Sequence, residues 1–86
     1  MTHTPTQVAG ANVRGAMARR GITQVQMATL LGVSQPAVSA RLRGETPFDV
    51  NELARVAKAL DVPIERLVEG IDELPGIEFI DPPQAS

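Results

Sequence analysis

Residues 23–44 read TQVQMATLLGVSQPAVSARLRG, two short helical patterns separated by a Leu-Gly-Val turn. Thr23 and Gln26 have the spacing of a capping box, in which each side chain accepts a hydrogen bond from a backbone N–H at the start of a helix. A helix is therefore predicted to begin at Gln24. Gly32 predicts its end, because glycine readily adopts the left-handed conformation that closes a helix and turns the chain.

The second helical pattern begins directly after this turn. Ser34 is a typical N-cap residue, and Pro36 is tolerated in the first turn because the N–H that it lacks would have no intrahelical partner. Gly44 marks the end of the pattern. Two short helices joined by so tight a turn are typical of a helix-turn-helix that binds DNA.

The motif also resembles that of the lambda-repressor-like, or Xre-type, helix-turn-helix proteins. The resemblance is carried by Gln24, Ala28, Gly32, Val33-Ser34-Gln35, Val38 and Gly44. It extends over residues 7–70 and implies a compact domain of five helices, similar to small phage or prophage repressors and Cro proteins. It also implies that the second helix of the motif lies in the major groove of double-stranded DNA.

The composition independently favours one small all-α domain. With 86 residues, no tryptophan or tyrosine and two phenylalanines, the core must consist of aliphatic side chains, which suit close-packed short helices. The absence of cysteine excludes disulfides and thiolate metal sites. Because there is also no signal peptide and no long apolar run, we expect a cytoplasmic protein that does not enter the membrane.

A first helix is predicted before the motif. Thr4, Pro5 and Gln7 form a capping-box start, and Gly21 ends the helix. The apolar residues that should line the core side are Ala9, Val13, Ala16 and Met17.

Two more helices are predicted after the motif, which makes five in total. Asp49 and Glu52 form the capping box of the first, with Phe48 and Leu53 as a hydrophobic staple. Its predicted apolar stripe consists of Val50, Leu53, Ala54, Ala57 and Leu60. The last helix should begin at Pro63 and end near Gly70, with Ile64, Leu67, Val68 and Ile71 buried.

Charge is distributed unevenly along the chain, which has a net charge of −2. The first 44 residues contain five arginines and no acidic residue, whereas residues 45–86 contain three basic and ten acidic residues. DNA responds to the local field within about a Debye length, roughly 8–10 Å. We therefore expect a basic half that binds DNA and an acidic half that faces away. The alternative is that these arginines only keep the exposed faces of the helices hydrated.

The chain divides into a helix-turn-helix domain at residues 1–70 and an acidic, proline-rich tail at residues 71–86. Within the tail, residues 76–81 are a candidate for a short strand. Two such strands can pair across a two-fold axis in a homodimer, Phe79 and Ile80 can fold back onto the helices, or much of the tail can be disordered. We favour the homodimer, because helix-turn-helix proteins commonly bind paired half-sites.

One face of the second motif helix is predicted to contact base edges. Gln35, Ser39 and Arg43 recur every four residues, with Pro36 and Ala40 beside them. Gln35 can pair with adenine N6 and N7, and Ser39 can donate or accept a hydrogen bond. Pro36 or Ala40 can contact a thymine methyl group.

Three residues are predicted to contact the DNA backbone. Gln24 matches the phosphate-contacting glutamine of the family that the chain resembles, and the adjacent backbone N–H groups add to this anion site. Ser34, the predicted cap, and Arg43, near the end of the second helix, are the other two. The alternative role for Gln24 and Gln35 is to cap helices or to hydrogen-bond each other.

Arg41 departs from the family pattern, in which an apolar residue commonly lies three positions after Val38. On a helical wheel Arg41 faces the core, so its stem is expected to pack there while its guanidinium reaches solvent. No base contact is assigned to it.

The sequence predicts no enzyme, metal site or cofactor, because the single histidine, His3, lies near the N-terminus and no nucleophile–base pair is present. The predicted function is a sequence-specific transcriptional repressor of phage or prophage type that binds a pseudo-palindromic operator. An alternative is an antitoxin or adaptor that binds a protein partner through the acidic tail. A third is a piece of a longer regulator.

Overall fold

The computed structural model describes residues 4–71, which form five α-helices and no strand. They are α1 (Pro5–Arg20), α2 (Gln24–Leu31), α3 (Gln35–Leu42), α4 (Val50–Leu60) and α5 (Ile64–Leu67). The predicted all-α class and the five helices are thereby confirmed. The strand predicted within residues 76–81 lies outside the described residues. Within residues 4–71 no helix is long and apolar enough to cross a bilayer.

The first four helices begin where they were predicted, and α5 begins one residue later than predicted, at Ile64. Each of the three capping boxes, Thr4/Gln7, Thr23/Gln26 and Asp49/Glu52, is formed in both directions. The Ser34 hydroxyl caps α3 by accepting the Ala37 N–H at 3.2 Å. These bonds join residues three apart, so the sequence alone was enough to locate them.

The core is built from aliphatic side chains and Phe48, contributed by all five helices and the loop before α4. The four α1 residues predicted to face it are all buried. On α4 the prediction was partly wrong, because Val50 is 50% exposed and Ala54 is also exposed, whereas Val56 is buried. The buried residues of α4 are Leu53, Val56, Ala57 and Leu60. Their spacing defines a face rotated away from Val50, which lies in the first turn.

The last helix is shorter than predicted. Instead of continuing toward Gly70, α5 ends after a single turn, with Leu67 buried and Val68 half-buried against the core. Beyond it the Asn12 amide donates hydrogen bonds to the carbonyl groups of Leu67 and Glu69, both at 3.0 Å. A side chain from α1 therefore binds backbone carbonyls that a longer helix would have used internally.

Helix α1 also supports the end of α3, through a close approach at Gly10. A Cβ atom at Gly10 would lie 2.6 Å from the carbonyl oxygen of Leu42 and 2.7 Å from that of Arg41. Beside this contact, Arg14 Nη2 donates to the Leu42 carbonyl at 3.4 Å. The absence of a side chain at Gly10 thus sets how closely α3 lies on α1.

Candidate nucleic-acid interface

Helices α2 and α3 pack against each other around the predicted turn. Gly32 has the left-handed conformation, with φ 70°, and its N–H donates to the Ala28 carbonyl at 2.8 Å. The Val33 N–H donates to the same carbonyl at 3.1 Å. Val38 and Leu42 are buried, and they fix which face of α3 is turned to the core. The opposite face of α3 is therefore presented outward.

The four predicted base-contacting residues lie on this outward side. Gln35 and Pro36 are exposed, and Ser39 and Ala40 are half-buried. Among residues 4–71 the Gln35 amide has no hydrogen-bond partner, so its donor and acceptor are both available. The structure thus brings these four side chains together on the outward side of α3, and their contact with bases stays a prediction.

The starts of α2 and α3 differ in how many backbone donors they offer. In α2 the Thr23 hydroxyl accepts the Gln26 N–H, which leaves the N–H groups of Gln24 and Val25 without an intrahelical acceptor. In α3, Pro36 has no N–H and Ser34 caps the following one. The start of α2, where half-buried Gln24 lies, therefore has more backbone N–H groups without an intrahelical acceptor than the start of α3 has.

Arg43 binds both Ser39 and Glu45, an acid that was not predicted as part of the site. Arg43 Nε donates to Glu45 Oε2 at 2.7 Å, and Arg43 Nη2 donates to Glu45 Oε1 at 3.1 Å. Arg43 Nη1 donates to the Ser39 hydroxyl. The hydrogen bonds and charge attraction between Arg43 and Glu45 lower the pKa of the Glu45 carboxyl and raise the pKa of Arg43. Glu45 is the first acid after the motif, and only its closeness in sequence to Arg43 hinted at this role.

Arg41 has a different environment from the one predicted. Its Nε and Nη2 donate to the two oxygens of Glu52 at 3.1 and 3.0 Å, and its Nη1 donates to the Ala37 carbonyl at 3.1 Å. The guanidinium therefore forms an ion pair with Glu52 instead of reaching solvent. The side chain of Arg41 is only 15% exposed, and that of Glu52 is only 13% exposed. Glu52 Oε1 also accepts the Asp49 N–H of the α4 capping box. The pair thus connects α3 to the first turn of α4.

These ion pairs modify the expected separation of charge. Two of the five arginines of the first 44 residues are paired with acids from the second half of the chain, Arg41 with Glu52 and Arg43 with Glu45. Arg20 is used elsewhere, since its Nη2 donates to the Asp61 carbonyl. Acids of the second half therefore lie beside two of the five arginines and do not all face away from the half that is predicted to bind DNA.

Comparison with known proteins supports the same motif. A family model described as helix-turn-helix matches residues 13–67 of the chain. A comparison with curated proteins finds no match.

Solved structures share the fold over most of the chain. The clp gene regulator ClgR from C. glutamicum has a TM-score of 0.71 at 26% identity, covering 77% of this chain and 86% of that one. The P22 c2 repressor, solved with a synthetic operator, has a TM-score of 0.65 at 31% identity, covering 76% and 98%. The restriction-modification controller protein C.AhdI from Aeromonas hydrophila has a TM-score of 0.67 and shares the fold at 23% identity, covering 76% and 98%.

Proposed function

The chain belongs to the lambda-repressor-like helix-turn-helix family of DNA-binding transcriptional regulators, and from that premise we propose that it is a repressor of phage or prophage type. In this proposal the protein binds a pseudo-palindromic operator as a homodimer, with one α3 helix in the major groove of each half-site. The proposal assigns residues 1–70 to the DNA-binding domain and residues 71–86 to the acidic tail.

The observation that carries the proposal is the outward face of α3. Gln35 lies exposed at its start, and its amide, which has no hydrogen-bond partner within residues 4–71, can pair in bidentate fashion with adenine N6 and N7. Pro36 and Ala40 supply apolar atoms for a thymine methyl group, and Ser39 supplies a hydroxyl. A face with both polar and apolar groups can distinguish base pairs, whereas a uniformly basic one would bind any sequence.

Backbone contacts are assigned to Gln24, Ser34 and Arg43. Gln24 lies beside the unpaired N–H groups at the start of α2, where a phosphate would be favoured. The Ser34 oxygen accepts the Ala37 N–H, so its own hydrogen remains available to donate to phosphate. Arg43 follows the last residue of α3 and supplies charge at the other end of the helix.

The resemblance to the P22 c2 repressor supports the repressor assignment, because that protein is a repressor solved on an operator and is 31% identical to this chain. The homodimer is proposed on symmetry, since a two-fold operator is bound most simply by two copies of one chain.

Selection of bound sequences from a random DNA pool tests this function. Recovery of one motif with two-fold symmetry and half-sites about one helical turn apart supports the repressor proposal and its homodimer. A recovered motif without two-fold symmetry would support sequence-specific binding but contradict the proposed homodimer. If no sequence is enriched, the proposal is wrong, and an adaptor that binds a protein partner becomes the better hypothesis.

Gln35→Ala should relax the selected motif at one or two base pairs and cost about 1–3 kcal/mol of binding free energy to the preferred site, because one bidentate base contact is lost. Affinity should be measured on the preferred duplex and on duplexes altered at each position. Asn51→Ala, which removes an exposed amide on α4, is the matched control and should leave the preference unchanged. An equal loss on every duplex would show that Gln35 does not read bases.

A further inference from the structure

Between α1 and the end of α3 lies an open groove of about 570 Å³. Gln7, Arg14, Arg43 and Glu45 are among its lining residues, and Glu45 is the only acid that residues 4–71 contribute to the lining. Two guanidinium groups therefore face one groove beside the helix that is proposed to enter DNA, and one of them already holds an anion.

Glu45 occupies the edge of Arg43 that a phosphate would use. A guanidinium binds carboxylates and phosphates alike through two parallel N–H bonds. Here the Nε and Nη2 groups of Arg43 donate to the two carboxylate oxygens of Glu45. As long as this ion pair is formed, Arg43 cannot bind a phosphate through its Nε and Nη2 groups.

The ion pair between Arg43 and Glu45 is weak enough to exchange. The side chains of Arg43 and Glu45 are 51% and 60% exposed, and ion pairs in water are held weakly. Glu45 makes no further hydrogen bond through its side chain within residues 4–71, whereas Glu52 is also bound to the capping box of α4. Arg43 can therefore exchange Glu45 for another anion, while Arg41 stays bound to Glu52.

We propose that this groove is a DNA-phosphate site and that Glu45, by binding Arg43 in the free protein, is an internal competitor for DNA. The inference rests on the proposed function, since it requires that α3 approach DNA. Binding moves Arg43 from the Glu45 carboxylate to a phosphate, with Arg14 beside it in the groove. Glu45 thereby lowers affinity for every DNA sequence, which limits non-specific binding, an almost entirely electrostatic process.

The test compares Glu45→Gln with Glu65→Gln, a variant with the same change in net charge on α5, which does not pack against α3. Affinity is measured on a random-sequence duplex across a range of salt concentrations. Glu45→Gln should bind up to about fivefold more tightly near 0.1 M salt, because the exposed Arg43–Glu45 pair no longer has to be broken before Arg43 reaches a phosphate. Glu65→Gln should show a clearly smaller gain, since it removes a charge but frees no arginine.

Arg43→Gln separates competition from simple repulsion of DNA by Glu45. With Arg43 replaced, the gain from Glu45→Gln should fall to that of Glu65→Gln. A gain that persists, or no gain in the native background, overturns the proposal. Arg14→Gln should weaken binding of the same duplex, and an unchanged affinity contradicts this groove as the phosphate site. If the native protein binds no duplex at all, it is the proposed function that fails.

A direct readout is the titration of the Glu45 carboxyl by NMR. In the free protein its pKa lies below the ordinary value, because Arg43 donates hydrogen bonds to the carboxylate and attracts it. DNA binding should raise this pKa, since Arg43 leaves and phosphate charge approaches. A pKa that stays low in the complex means that Arg43 remains on Glu45, which overturns the proposal.

Discussion

Gly10→Ala should destabilise the domain by about 2 kcal/mol or more. Overpacking a tight contact typically costs about 1–3 kcal/mol, and here the atoms that the new Cβ would meet are backbone atoms, which cannot move aside as a side chain can. The new Cβ would lie 2.6 and 2.7 Å from two carbonyl oxygens at the end of α3, so one helix must move. The gain in helix propensity from alanine, about 1 kcal/mol, offsets only part of this. Urea unfolding of the two proteins measures the difference.

The same helix contains a matched control. A Cβ at Gly15 would meet only Arg19 Nη1, at 3.5 Å, which is an ordinary contact with a flexible side chain. Gly15→Ala should therefore stabilise the protein by about 0.5–1 kcal/mol through helix propensity alone. A loss of stability in Gly10→Ala together with a gain in Gly15→Ala would show that the close approach of the two helices is at Gly10. Equal effects would mean that α3 does not lie on α1 as the structure has it.

The Arg41–Glu52 pair is the site of the second large effect. Arg41→Met should cost about 2 kcal/mol, because losing one member of a fully buried pair costs about 3–5 kcal/mol and this pair is partly solvated. The remaining Glu52 carboxylate is only 13% exposed and would keep just the Asp49 N–H as a donor. Thermal and urea unfolding measure the loss.

A second substitution should restore most of that loss. Glutamine at position 52 can still complete the capping box with Asp49 but carries no charge, so Arg41→Met with Glu52→Gln should lie within about 1 kcal/mol of the native protein. A double variant that is less stable than Arg41→Met alone would contradict this account. It would show that the Glu52 carboxylate is stabilised mainly by its hydrogen bond in the capping box and not by its ion pair with Arg41.

The outward face of α3 was predictable for a local reason. Val38 and Leu42 are apolar and four residues apart, so they turn one side of the helix to the core, and Gln35 and Pro36 necessarily lie elsewhere. The role of Arg43 was less predictable. Its position on the helix suggested a DNA contact, but its hydrogen bonds to Glu45 and Ser39 depend on how the chain turns after α3.

Two other differences from the prediction have separate causes. Val56 could have been predicted to be buried, because Leu53, Val56, Ala57 and Leu60 have the i, i+3, i+4, i+7 spacing of one helix face. The hydrogen bond from Asn12 to the end of α5 could not be predicted, because its amide reaches a carbonyl 55 residues away in the sequence.

The sequence by itself determined the helix-turn-helix, the four capped helix starts and the outward face of α3, because caps, turns and apolar periodicity act between residues a few positions apart. Only the tertiary structure decided how closely α3 lies on α1 at Gly10, and that Arg41 and Arg43 each hold an acid. Close approach and ion pairing depend on distances in space, and two distant segments acquire those distances only when the helices pack.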